Sequence, residues 1–316
     1  MKHDNPHATP LTIRELSLLT GMPAGDVASF LGPEGTIPLT SATTGASAHG
    51  VRRFLSERGV SYQPRIIAHI TMRGGIGKTT ATITSSVRAA QYGCKVCVLD
   101  LDPQGSSTLA FNAVPDDGDP IFYDVWQNPH TLLADALKPI RENLSILPSA
   151  LENALLDASL INPGSQKKAV KGVCQELVAL GYDLIIIDCP PSLGIAVIST
   201  ICAADTVVIP VGSDAFSLKG LEITLNEIAS IRDTFGLPMP ELRILFTRYD
   251  RREKVSQDAL ATLRSRYGHL PLTVIGTSSE FSKVLAAGET VFSSYRKSQA
   301  RDDYDRYVLD ILEILP

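Results

Sequence analysis

Eight consecutive residues carry the clearest chemistry in the chain: Arg73, Gly74, Gly75, Ile76, Gly77, Lys78, Thr79 and Thr80. Glycines let backbone N–H groups approach phosphate oxygens, and a helix starting near Lys78 adds the partial positive charge of its N-terminus. Lys78 can reach the β- and γ-phosphates of a nucleotide, and the Thr79 hydroxyl can ligate Mg²⁺. The ordinary phosphate-loop pattern G-x-x-x-x-G-K-[ST] would begin with glycine at position 72, where the chain has Met72. A basic residue, Arg73, stands directly before the paired glycines instead. Three carboxylates complete the candidate site: Asp100 and Asp102 after one apolar run, Asp188 after another. Carboxylates at strand ends beside a phosphate loop can hold Mg²⁺ through water or orient an attacking water.

Bringing these groups together requires strands that end at one edge. The spacing predicts a strand over 66–70, a helix from 78 and a second strand over 96–99. Continuous apolar runs over 182–191, 206–211 and 242–247 read as strands covered on both faces. Short strands are expected over 144–147 and 272–275, and helices over 132–137, 167–180, 218–235, 256–267, 281–287 and 303–315. Alternating strands and helices predict an α/β fold with a doubly wound, mostly parallel sheet and its ligand at the strand C-termini.

Ahead of this lies a segment of different character. Residues 1–10 read as a tail, and Thr12 as the cap of a short helix over 12–19. A break at 20–23 precedes a second helix over 25–31, and 32–50, rich in Gly, Ser, Thr and Pro, reads as a linker. A basic helix follows over 51–58. The boundary falls near 62, giving a small helical module over 1–62 and a nucleotide-binding domain over 63–316.

Net charge of −5 argues against a uniformly basic nucleic-acid coat but leaves room for a local patch. From Arg243 to Arg306 there are twelve Lys and Arg against eight Asp and Glu, a reversal of the balance of the whole chain. Arg248, Arg251, Arg252 and Lys254 cluster there, with Lys283, Arg296 and Lys297 further on. Cations so placed could meet DNA phosphates. No apolar run nears the ~20 residues a spanning helix needs, and the N-terminus lacks an apolar signal core, so a cytoplasmic location is expected. The five cysteines sit in apolar surroundings and read as small buried hydrophobes.

The blocks RGGIGKTT, VLDLDPQGSST, LIIIDCPPSLG, VIPVGSDAFSLKGL and LFTRYDRR, in this order, resemble the ParA family of partition ATPases, a deviant P-loop class, over roughly residues 64–316. The resemblance implies a Mg-dependent ATP hydrolase with a low intrinsic rate. It implies that Lys78 binds phosphate, Thr79 ligates Mg²⁺, Asp102 positions the hydrolytic water, Asp100 supports the metal site and Asp188 is the second-motif carboxylate. It further implies an ATP-sandwich homodimer that binds double-stranded DNA without sequence preference on the nucleoid. A ParB-like partner or cargo adaptor would then stimulate hydrolysis. Arg73, where the family usually has lysine, would reach the partner subunit's phosphates, and Arg252 falls where some relatives carry a DNA-contacting arginine. Related ATPases also position chemoreceptor arrays or carboxysomes, so a non-DNA cargo is an alternative. Residues 12–31 resemble a degenerate MerR-like helix-turn-helix, which would allow autorepression of the chain's own operon. The segment over 23–31 nevertheless offers Asp26 and Ser29 and no Arg or Lys for base edges. A membrane-bound relative would need a basic C-terminal helix, and DDYDRYVLDILEILP is acidic, so no membrane partner is expected.

Overall fold

Alternation of side chains along the strands decides where the core lies. In the strand Arg65–His69, Ile67 faces one side and Ala68 the other; in Leu184–Asp188, Leu184 and Ile186 share Ile67's side while Ile185 and Ile187 share Ala68's. Both faces are apolar, so both must be covered by helices. The computed structural model describes residues 9–39 and 43–314 and shows this arrangement. Its eight-stranded sheet runs in the order Leu272–Gly276, Glu241–Tyr249, Thr206–Val211, Arg65–His69, Leu184–Asp188, Val96–Asp100, Leu144–Leu147, Lys138–Arg141. All neighbours are parallel except the last strand, an antiparallel edge that the sequence did not signal. Helices Pro163–Ala179, Ile195–Ala203, Ala215–Thr234 and Lys254–Tyr267 bury one face, and Lys78–Gln91 and Gln299–Leu312 the other.

The N-terminal segment shares the second of these cores. Leu11, Leu16, Val27, Leu31, Phe54 and Leu55 belong to the same apolar cluster as Val87, Tyr92, Tyr304 and Tyr307. Helix Ile13–Thr20 opens on a capping box in which Thr12 Oγ1 accepts from Glu15 N (3.1 Å) and Glu15 accepts from Thr12 N (2.9 Å). Gly21 closes it in the left-handed region, and helix Ala24–Gly35 follows. The expected linker over 32–50 is instead ordered where it is described. The second helix continues through a kink at Gly32, whose φ of 65° and ψ of −177° suit glycine alone. Strands Thr36–Pro38, Thr44–Ala46 and Leu11–Thr12 then form a small antiparallel sheet, and helix Ala48–Ser56 completes the segment. Of the expected tail, residues 1–8 lie outside the described residues. Thr9 and Pro10 are tied down, Thr9 carbonyl accepting from Gln91 Nε2 at 2.7 Å and Pro10 carbonyl from the Tyr295 hydroxyl at 3.1 Å.

A cluster of two buried arginines and two half-buried carboxylates fastens the segment further. Arg88, in the helix after the phosphate loop, meets Asp305 (2.7 Å) and Glu15 (3.3 Å), and Arg301 also meets Glu15 (2.7 Å). Burial alone would raise the Glu15 pKa, but Arg88 and Arg301 hold it below the ordinary value. All five cysteines are buried and free. Among the described residues no helix is long and apolar enough to cross a membrane.

A shared core predicts shared unfolding. Phe54→Ala should cost about 3–5 kcal/mol and lower the midpoint of one common urea transition. A separate early transition that leaves the rest of the chain unmoved would contradict this.

Candidate active site

Strand register places the acids. Asp100 and Asp188 are direct partners at the ends of neighbouring strands, and Asp188 also pairs with His69, the residue that leads into the phosphate loop. Both carboxylates are fully buried, as is nearly all of Lys78, the first residue of helix Lys78–Gln91. Lys78 Nζ lies 3.4 Å from Asp188 Oδ1, and the Ser107 hydroxyl donates to Asp188 Oδ2 at 2.8 Å. Burial works against the charge on Lys78, but Asp188 outweighs it and raises the lysine pKa. Asp100 Oδ2 accepts from both the backbone and the hydroxyl of Thr108 (2.9 and 2.8 Å). Burial, and then the Asp188 charge, push the Asp100 carboxyl up to about 7. Asp102, almost buried, accepts from Gln104 N at 3.0 Å, while its carbonyl accepts from the Ser149 hydroxyl at 2.7 Å.

The loop itself is keyed to the sheet. Thr247, on strand Glu241–Tyr249, donates its hydroxyl to Ile76 carbonyl (2.9 Å), with Val211 carbonyl at 3.3 Å. Gly74 and Gly75 are exposed at the lip, and Thr79 and Thr80 are half-buried in the first helical turn. Arg73 pairs with Asp214 and accepts no isolation at the lip: its Nη1 also donates to the Ser217 hydroxyl at 2.9 Å. Ser107, Thr108, Asp214 and Thr247 were not singled out from the sequence. Thr247 and Asp214 lie at or just after a buried strand's end, where position was the available signal, whereas Ser107 and Thr108 sit on helix Ser106–Ala110, which follows Asp102.

The donor set suits Mg²⁺. The Thr79 hydroxyl and the Asp100 and Asp188 carboxylates are hard oxygen donors of the kind Mg²⁺ takes, and the paired acids would gain from a divalent counter-charge. Next to the loop, His69 is buried with Nδ1 3.0 Å from the Thr82 hydroxyl and Nε2 2.7 Å from the Tyr307 hydroxyl. Burial, with Lys78 nearby, pushes its pKa down to about 3.

The basic residues are only partly gathered. Arg248, Arg251, Arg252 and Lys254 are exposed along the end of strand Glu241–Tyr249 and the start of helix Lys254–Tyr267. Arg248 adopts φ 56°, and Arg252 is held by Asp250 (2.6 Å). Arg251 and Arg252 line a groove with Tyr249, Thr277 and Arg306. Arg306 has no mark in the sequence, because its place depends on how helix Gln299–Leu312 packs on strand Leu272–Gly276. Lys283, on helix Glu280–Ala286, and Arg296 and Lys297, in the segment before Ser298, are exposed and do not line this groove.

A parallel sheet with a phosphate loop leaving one central strand, and acids ending the next two, defines a P-loop NTPase fold. Residues 64–243, more than half the chain, match the family described as AAA domain. Among curated proteins, the sporulation initiation inhibitor protein Soj of Bacillus subtilis is 28% identical over 76% of this chain and 95% of its own length. The chromosome partitioning protein ParA of Caulobacter vibrioides is 26% identical over 65% of this chain and 77% of its own. Among solved structures, an ATP complex of Cyanothece McdA superimposes with a TM-score of 0.72 at 22% identity, over 80% of this chain and 98% of that one. Cobyrinic acid a,c-diamide synthase of Mycobacterium smegmatis, with an ATP analogue and magnesium, gives 0.66 at 26% identity, over 79% of this chain and 94% of that one. The chain belongs to the AAA domain family and, within it, to the ParA-type P-loop partition ATPases.

The buried His69 has a stability consequence. The unfolded imidazole takes a proton near pH 6.5, whereas the folded one refuses it until about pH 3. Between those values acid therefore favours the unfolded chain, by a slope approaching ~1.4 kcal/mol per pH unit. His69→Gln should remove that component from urea melts run between pH 7 and pH 4. An unchanged slope would contradict the assignment.

Proposed function

We propose that this ATPase is an ATP-gated partition switch. ATP and Mg²⁺ bind at the loop, two subunits close face to face, and the dimer binds double-stranded DNA without sequence preference. A ParB-like partner then accelerates hydrolysis and release, in the cytoplasm and on the nucleoid. One observation carries the reading: Lys78 is held by Asp188 directly beneath a phosphate loop whose lip bears the basic Arg73. In this reading Lys78, with the backbone of Gly74, Gly75, Ile76 and Gly77, cradles the phosphates. Thr79, Asp100 and Asp188 hold the metal, which neutralises phosphate charge when bound. Thr80 contributes to the nucleotide pocket, Asp102 orients the attacking water, and Arg73 meets the partner's phosphates.

Dimer closure has support in the surface. Five of the fourteen large exposed apolar residues among those described, Leu109, Leu151, Leu155, Leu193 and Phe216, lie on connections that leave the carboxyl ends of the parallel strands. Apolar residues left exposed beside the loop suit a protein interface. DNA contact is assigned to Arg248, Arg251, Arg252 and Lys254, with Lys283, Arg296 and Lys297 as outlying contributors. Arg252 must exchange Asp250 for a phosphate to take part.

The switch is tested by binding arbitrary duplex DNA with ATP and with ADP. ATP should tighten binding strongly. With about four phosphate contacts, a fourfold rise in salt should weaken it roughly a hundredfold; equal affinity in both nucleotides sinks the model.

Two variants test the site. Lys78→Ala should lose nucleotide binding, whereas Asp102→Ala should retain ATP while hydrolysis falls on the order of 10²-fold. Full hydrolysis by Asp102→Ala would remove that residue from its role.

A further inference from the structure

The basic residue at the lip of the loop is already occupied within its own chain. Arg73 pairs with Asp214, donates to the Ser217 hydroxyl at 2.9 Å, and lies 6.0 Å from the centre of the exposed Phe216 ring. The acceptor is itself fixed. Asp214 caps helix Ala215–Thr234, accepting from Ser217 N at 3.1 Å and from the Ser217 hydroxyl at 2.7 Å. The connection carrying it runs close against the loop: a Cβ at Gly212 would stand 3.2 Å from Ile76 Cγ2 and 3.1 Å from Ser217 Oγ. Glycine there permits the approach that brings Asp214 within reach of Arg73.

We propose that Asp214 and Ser217 form a holding site for Arg73, which must be vacated before the arginine can meet nucleotide phosphates. The proposal rests on the reading of Arg73 as a cross-subunit contact and adds what restrains it beforehand. Both contacts are made by Nη1, so that nitrogen must leave Asp214 and Ser217 before it can serve a phosphate. Burial would raise the Asp214 pKa, but hydrogen bonds from Ser217 and Arg73 bring it down to about 2. Asp214 therefore stays charged across the physiological range, and release comes from a competing anion rather than from a change of pH. The side chains of Arg73 and Asp214 are 40% and 43% exposed, which limits the restraint to about fivefold in an equilibrium.

The test uses the full chain and the variant Asp214→Asn, since asparagine keeps the helix cap. The ATP concentration at half-maximal dimerisation, followed by light scattering, should fall about two- to fivefold. In an Arg73→Ala background the same substitution should leave dimer formation unchanged, whatever its level. An unmoved midpoint in the Arg73 chain, or an equal shift without Arg73, overturns the holding site. A second measurement needs no dimer. NMR of the Arg73 guanidinium in nucleotide-free protein should show restricted rotation in wild type and free averaging in Asp214→Asn. Free averaging in wild type overturns the proposal. If wild type stays monomeric at every ATP concentration, the cross-subunit reading fails, and the guanidinium signal alone decides the holding site.

Discussion

A buried ammonium facing a buried carboxylate is the constraint on which the rest of the structure depends. Lys78 and Asp188 are almost wholly removed from water. Removing either partner would leave an uncompensated buried charge, so the pair tolerates little misplacement. That fixes the register of strand Leu184–Asp188 against Arg65–His69, because a slip of one residue would turn Asp188 to the other face. It also fixes where helix Lys78–Gln91 begins. Asp100 follows by pairing with Asp188, and Ser107 and Thr108 then satisfy the two acids.

The frame of this arrangement was legible in the sequence because it is built from local patterns. A glycine-rich loop before Lys78, and apolar runs ending in Asp100 and Asp188, announce a strand-end site with few alternatives. What escaped was set by tertiary contact. The edge strand Lys138–Arg141 contains Pro139 and has little apolar character, so nothing marked it. Helix Ile195–Ala203 is apolar nearly all round, since it lies among other helices, and gave no amphipathic period. The stretch over 32–50 looked like linker because Gly, Ser and Thr dominate it, yet its backbone pairs with Leu11–Thr12, a partner distant in sequence. The partner of Arg73 lies 141 residues away, beyond any local signal.

The N-terminal segment illustrates how cations can be consumed by folding. Arg52 pairs with Asp183 and stacks on Tyr62, and Arg53 donates to the Phe30 and Leu31 carbonyls. Arg58 lies 3.7 Å from the centre of the Phe54 ring and donates to the Phe54 carbonyl at 2.6 Å. A helix that reads as basic therefore has its three arginines engaged by its own chain, although Arg53 stays exposed. The exposed positions of the second helix near its start, Ala24, Gly25, Asp26 and Ser29, supply no cation. The segment braces the helix that follows the phosphate loop, through Glu15 and Arg88.

The hydroxyl of Thr247 has a consequence for the polarity of the cradle. Across a planar trans peptide the carbonyl of one residue and the N–H of the next point in opposite directions. Because Ile76 carbonyl is drawn toward Thr247, the Gly77 N–H is turned away from the sheet. One proton on a neighbouring strand thus orients a dipole in the loop before any anion arrives. A cradle whose dipoles are aligned in advance need not reorganise when charge enters it, which is where such sites gain most over water.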